Sequence, residues 1–103
     1  MPTVEQLQER LQIEPDDVFL NFGLAMALRS AERHDEAVTQ FDRTCSLDEN
    51  YVAAYFQKAI LLVKLDRIGE ARETLETGIA RAQSIGDAHA EGEMREYLLG
   101  LDP

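Results

Sequence analysis

The 103-residue chain has one cysteine, no tryptophan, three prolines and only two lysines. A single cysteine, Cys45, cannot close an internal disulfide, so folding does not require an oxidising compartment. No apolar run approaches the roughly 20 residues of a membrane-spanning helix. Residues 1–6 lack the basic start and apolar stretch of a secretory signal. We therefore expect a cytoplasmic protein that does not enter the membrane.

Positive charge is also scarce, because 10 basic residues stand against 20 acidic ones and the net charge is −10. Nucleic acids and anionic membranes both require a basic surface, so neither is an expected partner. Two interpretations of the acidity remain open. One is an ordinary solvated surface; the other is adaptation to a salt-rich cytoplasm, as in a halophile, where high net charge maintains solubility.

The chain repeats itself with a period of 34 residues. Seven identities share this register: Val18/Val52, Phe22/Phe56, Ala25/Ala59, Leu28/Leu62, Arg33/Arg67, Glu36/Glu70 and Ala37/Ala71. The same shift lays Leu7 on Phe41 and Ile13 on Leu47. The pattern predicts a half unit at 3–17, full units at 18–51 and 52–85, and a closing segment at 86–103.

Apolar residues within each unit recur at helical spacing, and no stretch alternates as a strand would. We predict six helices, at about 4–13, 17–31, 35–47, 51–65, 68–84 and 87–99. Thr3 with Gln6 has the form of a capping box. Asp16 or Asp17, Asn50 and Asp87 are candidate N-caps, and Gly86 and Gly100 suit left-handed helix ends.

This period and pattern resemble the tetratricopeptide repeat (TPR) family. Leu24, Ala25, Leu28, Ala37 and Phe41 in one unit match its helix-packing positions, as do Ala59, Leu62, Ala71 and Leu75 in the other. The family's aromatic residue near the start of the first helix is Asn21 in one unit and Tyr55 in the other. Its repeat-ending proline is present as Pro15 but is replaced by Glu49 and Gln83. The resemblance implies a single all-α domain, 1–103, of antiparallel helix pairs stacked as a short right-handed superhelix with a C-terminal capping helix.

The residues carry no recognisable catalytic motif. Cys45 lies on the apolar side of a predicted helix and is expected to be an inert packing residue. His34 falls in a turn, and His89 precedes Glu93 by one helical turn, which is a weak signal for a metal site without further ligands. We expect no enzymatic activity, no cofactor and no metal.

In TPR proteins the first helices of the units line a concave groove, so the resemblance implies ligand contacts from those helices. The matching candidate residues are Phe19, Phe22, Met26, Arg29, Phe56, Gln57, Ile60, Val63 and Lys64. The family's best-known ligand mode clamps a peptide carboxylate with Lys and Asn side chains, but Phe22 and Met26 stand where that clamp would begin. An apolar groove favours a partner helix or peptide instead. The alternatives are a homodimer through the same residues, or their burial by the protein's own last helix.

Overall fold

Six α-helices account for most of residues 1–101, the part of the chain that the computed structural model describes. They are α1 (Val4–Ile13), α2 (Val18–Ser30), α3 (His34–Leu47), α4 (Val52–Lys64), α5 (Ile68–Ile85) and α6 (Ala88–Leu99). No strand occurs among these residues. Every helix begins and ends within one residue of its predicted bounds, so the all-α helical repeat is confirmed.

The helices group into two compact units, Met1–Asp48 and Glu49–Pro103. In the first unit, α2 contacts both α1 and α3. Its buried apolar residues are Val4, Leu7, Leu24, Ala25, Ala27, Leu28, Ala37, Val38 and Phe41. The small side chains of Ala25 on α2 and Ala37 on α3 allow these helices to approach closely. The bulky Phe41, one turn after Ala37 on α3, fills the adjacent space. The prediction of one domain stacked as a superhelix stays a prediction.

In the second unit, α5 contacts α4 and α6, and α4 also touches α6. Its buried cluster consists of Ala59, Leu75, Ile79, Ala82 and Met94. Gly78 marks a close approach of α5 to its neighbours, because a Cβ atom added there would lie 2.8 Å from both the Tyr55 Cβ and the Met94 Sδ. A residue without a side chain is therefore needed for α5 to sit this close to α4 and α6.

Three of the predicted N-caps are confirmed. The Thr3 Oγ1 accepts a hydrogen bond from the Gln6 backbone N–H at 3.1 Å, and the Gln6 Oε1 accepts one from the Thr3 N–H at 2.9 Å, which completes the capping box. Asp17 caps α2 and Asp87 caps α6, each through its carboxylate. These caps satisfy N–H groups that the first helical turn leaves without partners.

Two predicted helix ends are wrong. Asn50 is not the N-cap of α4, because the helix begins one residue later than expected and Tyr51 takes the cap position without a side-chain hydrogen bond. Gly100 ends α6 with φ −73° and ψ −10°, which is right-handed rather than left-handed backbone. Gly86 does adopt the predicted left-handed conformation, with φ 76°.

The turns after α2 and α4 repeat the same geometry 34 residues apart. Glu32 has φ 59° and Asp66 has φ 60°, a left-handed conformation that glycine adopts more readily. The Arg33 N–H bonds the Leu28 carbonyl at 2.9 Å, and the Glu32 N–H bonds the Arg29 carbonyl at 3.0 Å. This is a Schellman motif, and it directs the chain sharply from one helix into the next.

An ion pair follows each of these turns. The Arg33 guanidinium donates two hydrogen bonds, of 3.0 and 2.8 Å, to the Glu36 carboxylate. The Arg67 guanidinium donates two, of 2.6 and 2.7 Å, to the Glu70 carboxylate. The guanidinium hydrogen bonds lower the pKa of the Glu36 and Glu70 carboxyl groups. Arg33/Arg67 and Glu36/Glu70 are two of the identities in the 34-residue register, so the repeat preserves this ion pair as well as the apolar pattern.

Asn21 and Tyr55, the two residues at the family's aromatic position, perform the same task with different chemistry. The Asn21 Nδ2 donates to the Pro15 carbonyl at 3.0 Å, and the Tyr55 hydroxyl donates to the Glu49 carbonyl at 2.9 Å. Pro15 and Glu49 are themselves equivalent in the 34-residue register. Each bond ties the first helix of a unit to the segment before it, so Asn21, which is not aromatic, makes the same connection as the aromatic Tyr55.

Candidate functional site

The outward face of α2 carries four of the predicted groove residues. Phe19 is 75% exposed, whereas Phe22, Met26 and Arg29 are half-buried. The Phe22 ring leans on the fully buried Phe41, with ring centroids 6.0 Å apart and a tilt of 59°. Phe19 is therefore the accessible aromatic side chain of this helix, while Phe22 also supports the core of the first unit.

The corresponding face of α4 is partly covered. Phe56, Gln57, Ile60 and Val63 are half-buried, and Lys64 is exposed. The Phe56 ring meets the Tyr97 ring of α6 edge to face, with centroids 5.6 Å apart. Burial by the last helix, one of the sequence-based alternatives, thus applies in part to Phe56.

The nine predicted site residues divide between the two units. Phe19, Phe22, Met26 and Arg29 lie in the first unit; Phe56, Gln57, Ile60, Val63 and Lys64 lie in the second. Within the second unit, Phe56 and Gln57 line the same cavity. The role of all nine residues in binding stays a prediction.

That cavity is a cleft of about 340 Å³ between α4 and α6. Its lining residues are Val52, Ala53, Phe56, Gln57, Asp87, Ala90, Glu93 and Met94. The volume lies within the range of roughly 300–1,000 Å³ typical of small ligand pockets. The sequence did not predict Asp87 or Glu93 as site residues. It indicated Asp87 only as a helix cap and Glu93 only as a neighbour of His89.

The residues considered for chemistry occupy unremarkable positions. The His89 Nε2 lies 3.2 Å from the Glu93 Oε1, as the one-turn spacing predicted, but this pair is solvent-exposed. Cys45 is half-buried, and as the chain's single cysteine it cannot form an internal disulfide. His34 is half-buried, and its Nδ1 is enclosed without a hydrogen-bond partner. Among residues 1–101, no group of three or more His, Cys, Asp or Glu side chains is placed to hold a metal ion.

Throughout the described part of the chain, each helix is too short or too polar to cross a lipid bilayer.

Comparison with known proteins identifies similar chains. No protein-family model matches the sequence. A TPR repeat-containing protein of Pseudomonas aeruginosa is 29% identical over 99 residues, which cover 96% of this chain and 94% of that protein. The predicted resemblance to TPR proteins is therefore confirmed at the level of sequence.

Solved structures confirm the fold. A tetratricopeptide repeat domain protein from Salinibacter ruber has a TM-score of 0.81 and 26% identity, covering 85% of this chain and 89% of that one. The TPR2B domain of yeast Sti1, solved as a complex with pHsp70, has a TM-score of 0.86 and 21% identity, covering 95% of this chain and 78% of that one.

Proposed function

We propose that this protein is an interaction module that binds a helix or extended peptide of a partner protein, and that the apolar side chains of α2 and those of α4 each offer a contact surface. The similar TPR2B domain of yeast Sti1 was solved as a complex with pHsp70, which supports this class of function. Because one fold serves many unrelated functions, the particular residues on these helices must support the assignment.

The exposed Phe19 carries the proposal. Three-quarters of this aromatic residue is accessible to solvent, one turn from the half-buried Phe22 and two turns from the half-buried Met26. An aromatic side chain left in water loses the roughly 1.5–3 kcal/mol that full burial contributes. Phe and Met are also enriched at protein interfaces, where their rigid and adaptable surfaces complement each other.

The chemistry of the α2 face favours an apolar ligand over a terminal carboxylate. A carboxylate clamp requires cationic and amide side chains that point together at the ligand. On α2, Phe19, Phe22 and Met26 precede the single cation Arg29. We propose that Arg29, and Lys64 at the end of α4, bind acidic residues flanking the apolar segment of the partner.

The test compares the protein with a Phe19→Glu variant. Phe19 is a better probe than Phe22 or Phe56, because those two rings also contact Phe41 and Tyr97. A charge at position 19 opposes apolar docking but leaves the buried residues intact. We expect the variant to fold normally by circular dichroism and to lose a partner that the parent protein captures from lysate of the native host.

Self-association through the same side chains is the competing outcome, and light scattering distinguishes it. We expect the purified protein to be monomeric at high concentration. A tight dimer that dissociates on Phe19→Glu substitution would replace the proposal with a self-assembling structural unit, and capture that survives the substitution would contradict the assigned residues.

A further inference from the structure

The cleft between α4 and α6 combines an apolar floor with an acidic edge. Phe56 and Met94 supply the largest apolar side chains, and Val52 and Ala90 extend this surface. Met94 is fully buried at its base, and Phe56 is fixed against Tyr97. The walls are held in place because α4 and α6 both pack on α5 and touch each other.

The charged residues that line the cleft are both carboxylates, Asp87 and Glu93, and neither Lys nor Arg is among the lining residues. Asp87 is held in position because its Oδ1 accepts a hydrogen bond from the Ala90 N–H at 3.0 Å. Glu93 is anchored less firmly, by its 3.2 Å contact with the exposed His89. The negative edge therefore has one fixed and one adjustable carboxylate.

We infer that this cleft receives a lysine or arginine side chain of the partner segment. The aliphatic stem lies along the half-buried Phe56, Val52 and Ala90, above the buried Met94, and the cationic head reaches Asp87 and Glu93. Long basic side chains commonly bury their stems on apolar surface while their heads stay at a polar edge. Charge-assisted hydrogen bonds to carboxylates then fix the head. This inference deepens the proposed function and rests on it.

Charge complementarity selects a basic segment over other occupants. The chain has a net charge of −10, so its overall field attracts segments with a net positive charge. A second copy of this chain is a poor source of the cation, because its net charge is also −10 and at least six of its ten basic residues pair with its own carboxylates. The occupant is therefore a basic, amphipathic segment of a different protein.

The test uses two labelled synthetic probes, a short amphipathic helix of Leu, Ala and Lys and its counterpart with Glu in place of Lys. Fluorescence anisotropy measures their binding to the full chain. We expect the lysine peptide to bind and the glutamate peptide to bind at least about tenfold more weakly. Equal binding of the two peptides, or binding of neither, would overturn the inference.

Matched variants separate the cleft from the general acidity of the protein. Glu93→Lys places a cation in the cleft, whereas Glu76→Lys makes the same change on the exposed face of α5, outside the cleft. We expect Glu93→Lys to weaken lysine-peptide binding about tenfold and Glu76→Lys to leave it within about twofold. Ala53→Lys, on the exposed rim of the opposite wall, should act like Glu93→Lys.

The outcomes also distinguish this inference from the proposed function. Equal loss in Glu93→Lys and Glu76→Lys would show general electrostatic attraction and overturn the cleft assignment. If the two peptides bind equally and Phe19→Glu weakens both, apolar docking survives and the basic-residue inference falls. If the lysine peptide depends on Glu93 and Ala53 but not on Glu76, the inference is supported.

Discussion

Replacing Gly78 with alanine should destabilise the protein, although alanine is the better helix former. The new Cβ would lie 2.8 Å from both the Tyr55 Cβ and the Met94 Sδ, whereas carbon atoms pack best at about 3.5–4.0 Å. Met94 can change rotamer, but the Tyr55 Cβ is bonded directly to the backbone of α4, so the helix itself must shift.

The magnitude follows from two opposing terms. Overpacking a core costs about 1–3 kcal/mol, and the upper part of this range applies because backbone must move. Alanine recovers about 1 kcal/mol of helix propensity relative to glycine. We expect a net loss of about 1–2 kcal/mol in the free energy of unfolding.

Gly92→Ala is the matched control, because Gly92 is exposed within α6 and a Cβ there meets no atom within 4 Å. The same chemical change should therefore stabilise by about 0.5–1 kcal/mol. Urea denaturation followed by circular dichroism measures both variants without altering ionic strength. If Gly78→Ala stabilises as much as Gly92→Ala does, α5 does not approach Tyr55 as closely as described.

Three further predictions concern the turns, the ion pairs and the surface charge. Glu32→Gly should raise the free energy of unfolding by about 0.5–1 kcal/mol, because glycine adopts the left-handed conformation of this residue without strain. Asp66→Gly should raise it by less, because aspartate tolerates that conformation better than glutamate does. A larger increase in the urea midpoint for Asp66→Gly than for Glu32→Gly would contradict this. The hydrogen bonds from Arg33 lower the pKa of Glu36 in the folded protein. The ion pair therefore stabilises the fold above the ordinary glutamate pKa of about 4.3, and this stabilisation is lost as the pH falls through the lowered pKa. In the Glu36→Gln and Arg33→Gln variants, the free energy of unfolding should therefore fall less steeply as the pH drops below about 4.3. The double variant should behave like either single variant. Urea midpoints measured across that pH range test both expectations. Screening of the net charge of −10 should raise the melting temperature as salt increases; a rise continuing to molar salt would support adaptation to a salt-rich cytoplasm, and a flat profile would exclude it.

The fold could be predicted closely because its signals are local. Apolar spacing and the capping residues Thr3, Asp17 and Asp87 placed each helix within one residue. The errors at Asn50 and Gly100 also have local causes. A shift of one residue moves the N-cap to Tyr51, and a glycine permits a left-handed end without requiring it.

The candidate site was less predictable because it depends on tertiary packing. The repeat register treats Phe22 and Phe56 as equivalent, yet one ring rests on Phe41 and the other on Tyr97 of the non-repeating last helix. The cleft edge joins Glu93 to Phe56 across 37 positions of sequence. No periodicity within α4 or α6 alone indicates that these two residues line one cavity.

The apolar face of α2 is proposed to meet a different protein, and site-specific photo-crosslinking in the native host tests for this contact. A photoreactive phenylalanine analogue would replace Phe19, and the same analogue at Glu76 on the exposed face of α5 would serve as the control. We predict an adduct between this chain and a different protein at position 19 and none at position 76. An adduct of twice the chain's mass, or no adduct at position 19, would contradict the claim.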